Sequence, residues 1–244
     1  MIIFPQDTIP FLRELRENNN RPWFQQNKTR YDAIQNVLVE FCDAVIQELS
    51  KADPTVRTCD ARRCVYRIYR DVRFSNDKRP YKEHISFWIP CGGNKKVDAP
   101  GYYFQIEPED AAVSGDLSFG SSCLGGGVFS MYPTTPNVLR QEIFYNVETF
   151  QKILKDRTYR KYFGTELWDP YPCKTIPPTF RKLVGDIPDD FPCREMLKQR
   201  SFVSLHRLKD NIIPTEKMLK ETLAAFHATI PLNEFFAQAM QQTV

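Results

Sequence analysis

Val65-Tyr66-Arg67-Ile68-Tyr69-Arg70-Asp71-Val72-Arg73-Phe74 is rich in aromatic and β-branched residues and changes character at every second position. That period of two predicts a strand. Arg67, Tyr69, Asp71 and Arg73 fall on one face, and Ile68, Arg70, Val72 and Phe74 on the other. The second face is apolar enough to lie on helices, while the first presents guanidinium groups flanking a carboxylate.

Downstream, His84-Ile85-Ser86-Phe87-Trp88-Ile89 and Tyr102-Tyr103-Phe104-Gln105-Ile106-Glu107 read as two further strands, with a weaker one at Ala112 to Phe119. Their links carry turn chemistry, Ser75-Asn76-Asp77, Gly92-Gly93-Asn94 and Pro100-Gly101. Such short links favour antiparallel neighbours, because a parallel pair needs a long crossover. If the strands align, His84 and Ser86 or Gln105 and Glu107 share the polar face of the basic strand. Gly125-Gly126-Gly127 then reads as a tight turn between the sheet and a second helical block.

Upstream, Phe11, Leu12 and Leu15 mark a short amphipathic helix that ends at Asn18-Asn19-Asn20. From Pro22, Tyr31, Ile34, Leu38, Phe41, Val45 and Leu49 recur at spacings of three and four. They lay one apolar stripe along a single long helix that Asp53-Pro54 stops. Beyond the sheet, Val138, Ile143 and Phe144 mark one helix and Phe150, Ile153 and Leu154 another. Residues 168–192 carry six prolines and read as an irregular excursion. Ser201 to His206 reads as a last strand, and the tail from Thr215 as a helix that Pro231 interrupts. Helices on both sides of a run of strands predict an α+β fold, with a central, mainly antiparallel sheet flanked by N-terminal and C-terminal helices. The expectation is one domain over residues 1–244, helical to 52, sheet over 62–130 and mainly helical over 134–244.

The chain has 244 residues, with 33 basic and 30 acidic side chains. Nine of the basic residues lie between Arg57 and Glu83, against four acidic ones, so the whole positive excess sits in the first strand and the turn after it. Arginine forks suit phosphate and carboxylate. Arg67, Arg70, Asp71, Arg73, Asp77, Lys78, Tyr81 and Lys82 are therefore the candidate ligand-binding residues. The acids among them either orient the cations or neutralise them in an ion-pair lattice.

The run Arg67-Ile68-Tyr69-Arg70-Asp71-Val72-Arg73-Phe74-Ser75-Asn76-Asp77-Lys78-Arg79-Pro80-Tyr81-Lys82 resembles the signature of domain-of-unknown-function family 2461, conserved bacterial and fungal proteins. That signature reads Arg-x-x-Arg-Asp-x-Arg-Phe-Ser-x-Asp-Lys-x-Pro-Tyr-Lys. Matching pieces include Phe11-Leu12 with Leu15, Asn19-Asn20, Trp23-Phe24, Gly101-Tyr102-Tyr103, Ile106-Glu107-Pro108 and Leu139-Arg140 with Ile143. The similarity spans about residues 4 to 208; it departs at Ser114-Gly115-Asp116. It implies a compact α+β protein of the cytoplasm and brings no activity with it.

Other chemistry is bounded by what the chain contains. There is no phosphate-binding Gly-x-x-x-x-Gly-Lys-Ser/Thr loop, no Gly-x-Ser-x-Gly elbow and no His-Glu-x-x-His motif. Seven cysteines without a Cys-x-x-Cys pair suggest reduced thiols of a cytoplasmic protein, with no metal site and no cofactor. The first residues do not read as a signal peptide. No apolar run approaches the ~20 residues of a membrane helix. A net charge of +3 argues against general nucleic-acid binding.

The leading expectation is thus a protein with a basic cleft for a phosphorylated or carboxylated small molecule. The alternatives are a metal-independent hydrolase or transferase using His84 and Glu107 as base and acid, or a module that docks an acidic partner or nucleic acid.

Overall fold

The computed structural model describes residues 2–73, 75–93, 98–109, 119–130 and 132–241. Helices Thr8–Glu17 (α1), Arg21–Gln26 (α2) and Lys28–Leu49 (α3) open the chain. The single helix expected from Pro22 is broken at Asn27. Its N–H bonds the carbonyls of Trp23 and Phe24, its side-chain amide donates to Trp23 O at 3.0 Å, and its amide oxygen accepts from Arg30 at 2.9 Å. An asparagine side chain that competes for backbone groups ends one helix and starts the next.

The short helix Ala61–Cys64 (α4) precedes strands Ile85–Pro90 (β1) and Gly101–Ile106 (β2). Ser122–Val128 is β3, and helices Thr135–Tyr145 (α5), Val147–Lys155 (α6), Arg157–Phe163 (α7) and Pro178–Val184 (α8) follow. Phe202–Leu208 (β4) and Lys217–Gln241 (α9) complete the order. The strands form one antiparallel sheet in the order β1-β2-β3-β4, and the fold is α+β. The Phe87 and Phe104 rings stack across β1 and β2, with centroids 4.6 Å apart. Cys91 N–H donates to Pro100 O in the same register.

Four expectations are corrected. The described residues 65–73 make no ladder strand; they touch the returning chain through the isolated bridges Val65–Phe87 and Tyr69–Tyr81, and Phe74 lies outside the described residues. Arg70 N–H bonds Pro80 O, but proline has no N–H with which to continue a ladder. The glycine run is part of β3 rather than a turn. Pro231 lies inside α9, which continues through it, with Asn233 bonded to Gly127 N–H at 2.8 Å and to Gly101 O at 3.2 Å. The proline-rich excursion contains α8. The weak strand expected at Ala112 to Phe119 lies, apart from Phe119, outside the described residues.

The chain divides into two compact units. The first comprises Met1–Ile89, Tyr103–Leu124 and Arg207–Ala224. Its core joins the buried face of α3 (Ile34, Leu38, Phe41, Val45 and Leu49) to Phe4, Phe87 and Phe104. Burying each such side chain is worth ~2 kcal/mol. The second comprises Pro90–Tyr102, Gly125–His206 and Ala225–Val244. There Tyr102 packs on Phe226, Phe150 on Phe235, and Phe202 on Phe236. All the candidate site residues belong to the first unit.

Candidate functional site

After α4, whose first turn is capped by Asp60 accepting from Arg62 N–H, the chain extends and folds back on itself as an irregular ribbon. Its limbs are joined by Tyr66 N–H to Ser86 O, Lys82 N–H to Ile68 O and Arg70 N–H to Pro80 O. The predicted alternation holds along the first limb: Ile68 is buried, and Arg67 and Tyr69 are exposed. The returning limb is pinned by Asn19, whose side chain donates to Tyr81 O and accepts from Tyr81 N–H, both at 3.0 Å. The Tyr81 ring stacks on Phe24 with centroids 4.0 Å apart, so Tyr81 serves as an internal anchor.

The cations differ sharply in their freedom. The Arg70 side chain is only 9% exposed; it donates to Asp77 at 2.9 Å and to the Arg79 carbonyl at 3.0 Å. Asp77 also accepts from the backbone N–H and guanidinium of Arg79, down to 2.6 Å. Those bonds, Arg79 first and Arg70 after it, hold the Asp77 carboxyl well below the usual range. Arg79 further pairs with Glu83, which Asn19 also reaches. On the outer face Asp71 accepts two bonds from the Arg73 guanidinium, at 2.9 and 2.6 Å, and a third from its backbone N–H at 3.3 Å. Arg73 and the more distant Arg67 draw the Asp71 pKa down to about 2. Lys78 is exposed and donates to Val72 O, and the Lys82 ammonium lies 5.0 Å from the centre of the Tyr66 ring.

Of the residues singled out by sequence, then, Arg70, Asp71, Arg73 and Asp77 engage one another or their neighbours, and Tyr81 is interior. Arg67 is exposed and forms no ion pair among the described residues. Arg21 at the start of α2 escaped the sequence reading. It is exposed, likewise makes no ion pair among the described residues, and lies within electrostatic reach of the Tyr81 hydroxyl. Nothing local marks it, because its neighbours in space are some sixty residues away.

His84 and Glu107 are both buried and are not brought into hydrogen-bonding contact. Burial, assisted by the Lys82 charge, draws the His84 pKa down to about 3, so the imidazole is neutral. One Glu107 carboxylate oxygen accepts from Phe119 N–H at 2.8 Å, Gly120 N–H at 3.1 Å and the Gln105 amide at 2.9 Å. Gln105 accepts in turn from the Tyr103 hydroxyl, which also bonds Ser86. This track runs from β1 through β2 to the residue after it, and two of the bonds that Glu107 accepts hold the backbone at Phe119 and Gly120. Tyr103, Gln105 and Glu107, spaced by two in sequence, were the signal for it. No group of three or more His, Cys, Asp or Glu side chains among the described residues is placed to hold a metal ion. No helix among them is long and apolar enough to cross a membrane.

The chain belongs to the conserved hypothetical protein family DUF2461, whose model matches residues 7–235. No curated protein and no solved structure matches it.

Proposed function

For this family member we propose binding of a phosphorylated or carboxylated ligand on the outer face of the ribbon, in the cytoplasm. Arg67, Arg73 and Lys78 supply the cations. The observation that carries this reading is the division of labour among the arginines. Arg70 is consumed in closing the ribbon on Asp77, whereas Arg67, on the same limb, is exposed and forms no ion pair among the described residues, acting on Asp71 only from a distance. A guanidinium fork on a braced backbone has little orientational freedom to lose when it takes up a phosphate or carboxylate. Arg73 is the second donor, since an incoming anion competes with the exposed carboxylate of Asp71 for its fork. Seven cysteines without a Cys-x-x-Cys pair suit a reducing compartment.

Thermal unfolding at low ionic strength with phosphate, pyrophosphate and citrate tests the reading. The midpoint should rise with at least one of them in the wild type and stay fixed in the double variant Arg67→Ala, Arg73→Ala. A midpoint indifferent to all three refutes it.

A further inference from the structure

The geometry points to a nucleoside phosphate as the ligand of this face, its base lying on the Tyr69 ring and its phosphate held by Arg67. This rests on the anion-binding reading above and narrows it. Tyr69 is 48% exposed, yet it is not a loose surface side chain. Its ring packs at a tilt against Tyr81, with centroids 5.4 Å apart, and against Phe24 at 6.2 Å. The chain beneath it is fixed by the Tyr69–Tyr81 bridge and by the Asn19 side chain on Tyr81. A half-exposed ring already wedged against two others loses little freedom when a flat partner stacks on it. Exposed tyrosines are ordinary in themselves; this one stands in a cationic setting. Arg67 lies two positions away in the chain, across a bend at Ile68, and is exposed like Tyr69. Its charge is felt at Asp71 on the far side of Tyr69, which places it along the outer face. Arg21 adds a second exposed guanidinium on the Tyr81 side of the cluster. A ring platform beside an uncommitted fork matches a molecule with an aromatic base at one end and a phosphate at the other. A simple sugar phosphate or dicarboxylate would leave the platform unused.

Isothermal titration of the full chain with AMP, UMP, ribose 5-phosphate and pyrophosphate tests this. Both nucleotides should bind about tenfold more tightly than ribose 5-phosphate. Tyr69→Phe should keep that margin and Tyr69→Ala should erase it, with ribose 5-phosphate affinity unchanged in both. A labelled oligothymidylate identifies the source: Tyr69-dependent binding tighter than that of UMP assigns the base to a strand, and weaker binding to a free nucleotide. Equal affinity for AMP and ribose 5-phosphate in the wild type overturns the base platform and leaves anion binding standing. That comparison does not depend on any variant folding. Failure of all four probes to bind removes the nucleotide reading and any phosphate at this face, and failure of citrate as well removes anion binding.

Discussion

Arg70 and Asp77 meet at 2.9 Å across the mouth of the ribbon, and the same guanidinium nitrogen reaches the carbonyl of Arg79 at 3.0 Å. The contact converts one of the most conspicuous cations of the sequence into a clasp. Its side chain is nearly enclosed, so its removal would leave Asp77 less compensated and a carbonyl orphaned. Arg70→Ala should lose on the order of 2 kcal/mol in urea denaturation, less than a fully buried pair because Asp77 is partly solvated. Arg67→Ala should stay within about 0.5 kcal/mol of wild type. Equal losses in the two variants would contradict the distinction between clasp and site.

Asn19 pairs with both backbone groups of Tyr81 from the loop between α1 and α2. Asn19→Ala leaves the Tyr81 N–H and C=O without those partners in a half-buried setting, at a cost of about 1–2 kcal/mol. Hydrogen exchange at the Tyr81 amide should accelerate together with the neighbouring ribbon amides. Unchanged protection there would show that the ribbon is held by other means.

How much of the molecule is legible in its sequence differs by element. The stripe of Ile34, Leu38, Phe41, Val45 and Leu49 is readable because helical spacing alone decides which side chains share a face. The outward Arg67 and Tyr69 and the inward Ile68 follow from alternation in the same way. Asn27 is not readable as a break, since its effect depends on bonds to Trp23, Phe24 and Arg30 that exist only once the chain turns. The Arg70 clasp is equally hidden: period places Arg70 on the inner face but does not say that Asp77 folds back to meet it. The glycines of β3 do not read as strand because the demand for them comes from distant chain.

At Gly126 a Cβ would meet the Thr229 side chain at 2.6 Å, and at Gly127, with φ +115°, it would run into the Phe202 carbonyl oxygen at still closer range. Backbone cannot yield as a side-chain tip can. Gly127→Ala should therefore destabilise by more than about 3 kcal/mol or prevent folding, and Gly126→Ala by less. Soluble yield and thermal midpoint of the two variants check this ordering, and a Gly127→Ala protein of wild-type stability would contradict it.

His84 makes stability depend on pH. An unfolded histidine takes up a proton near pH 6.5, whereas the buried one stays neutral until about pH 3. Between those values the unfolded chain binds more protons, so stability falls as pH drops through the window, on the order of 1 kcal/mol per pH unit. The carboxylates Asp71 and Asp77, both lowered, contribute their losses only below about pH 4. Urea midpoints between pH 7 and pH 5 should decline in the wild type and flatten in His84→Gln. A parallel decline in both would assign the effect elsewhere.

On the proposed reading Arg67 is the cation kept for a guest, while Arg70 is committed to the fold. Titrating pyrophosphate calorimetrically into the wild type, Arg67→Ala and a wild-type control at high ionic strength measures this most directly. The prediction is saturable binding in the wild type that salt weakens and that Arg67→Ala reduces about tenfold, as expected for the loss of a charge-assisted pair. Wild-type affinity in Arg67→Ala, or no heat of binding at low salt in either protein, would contradict it.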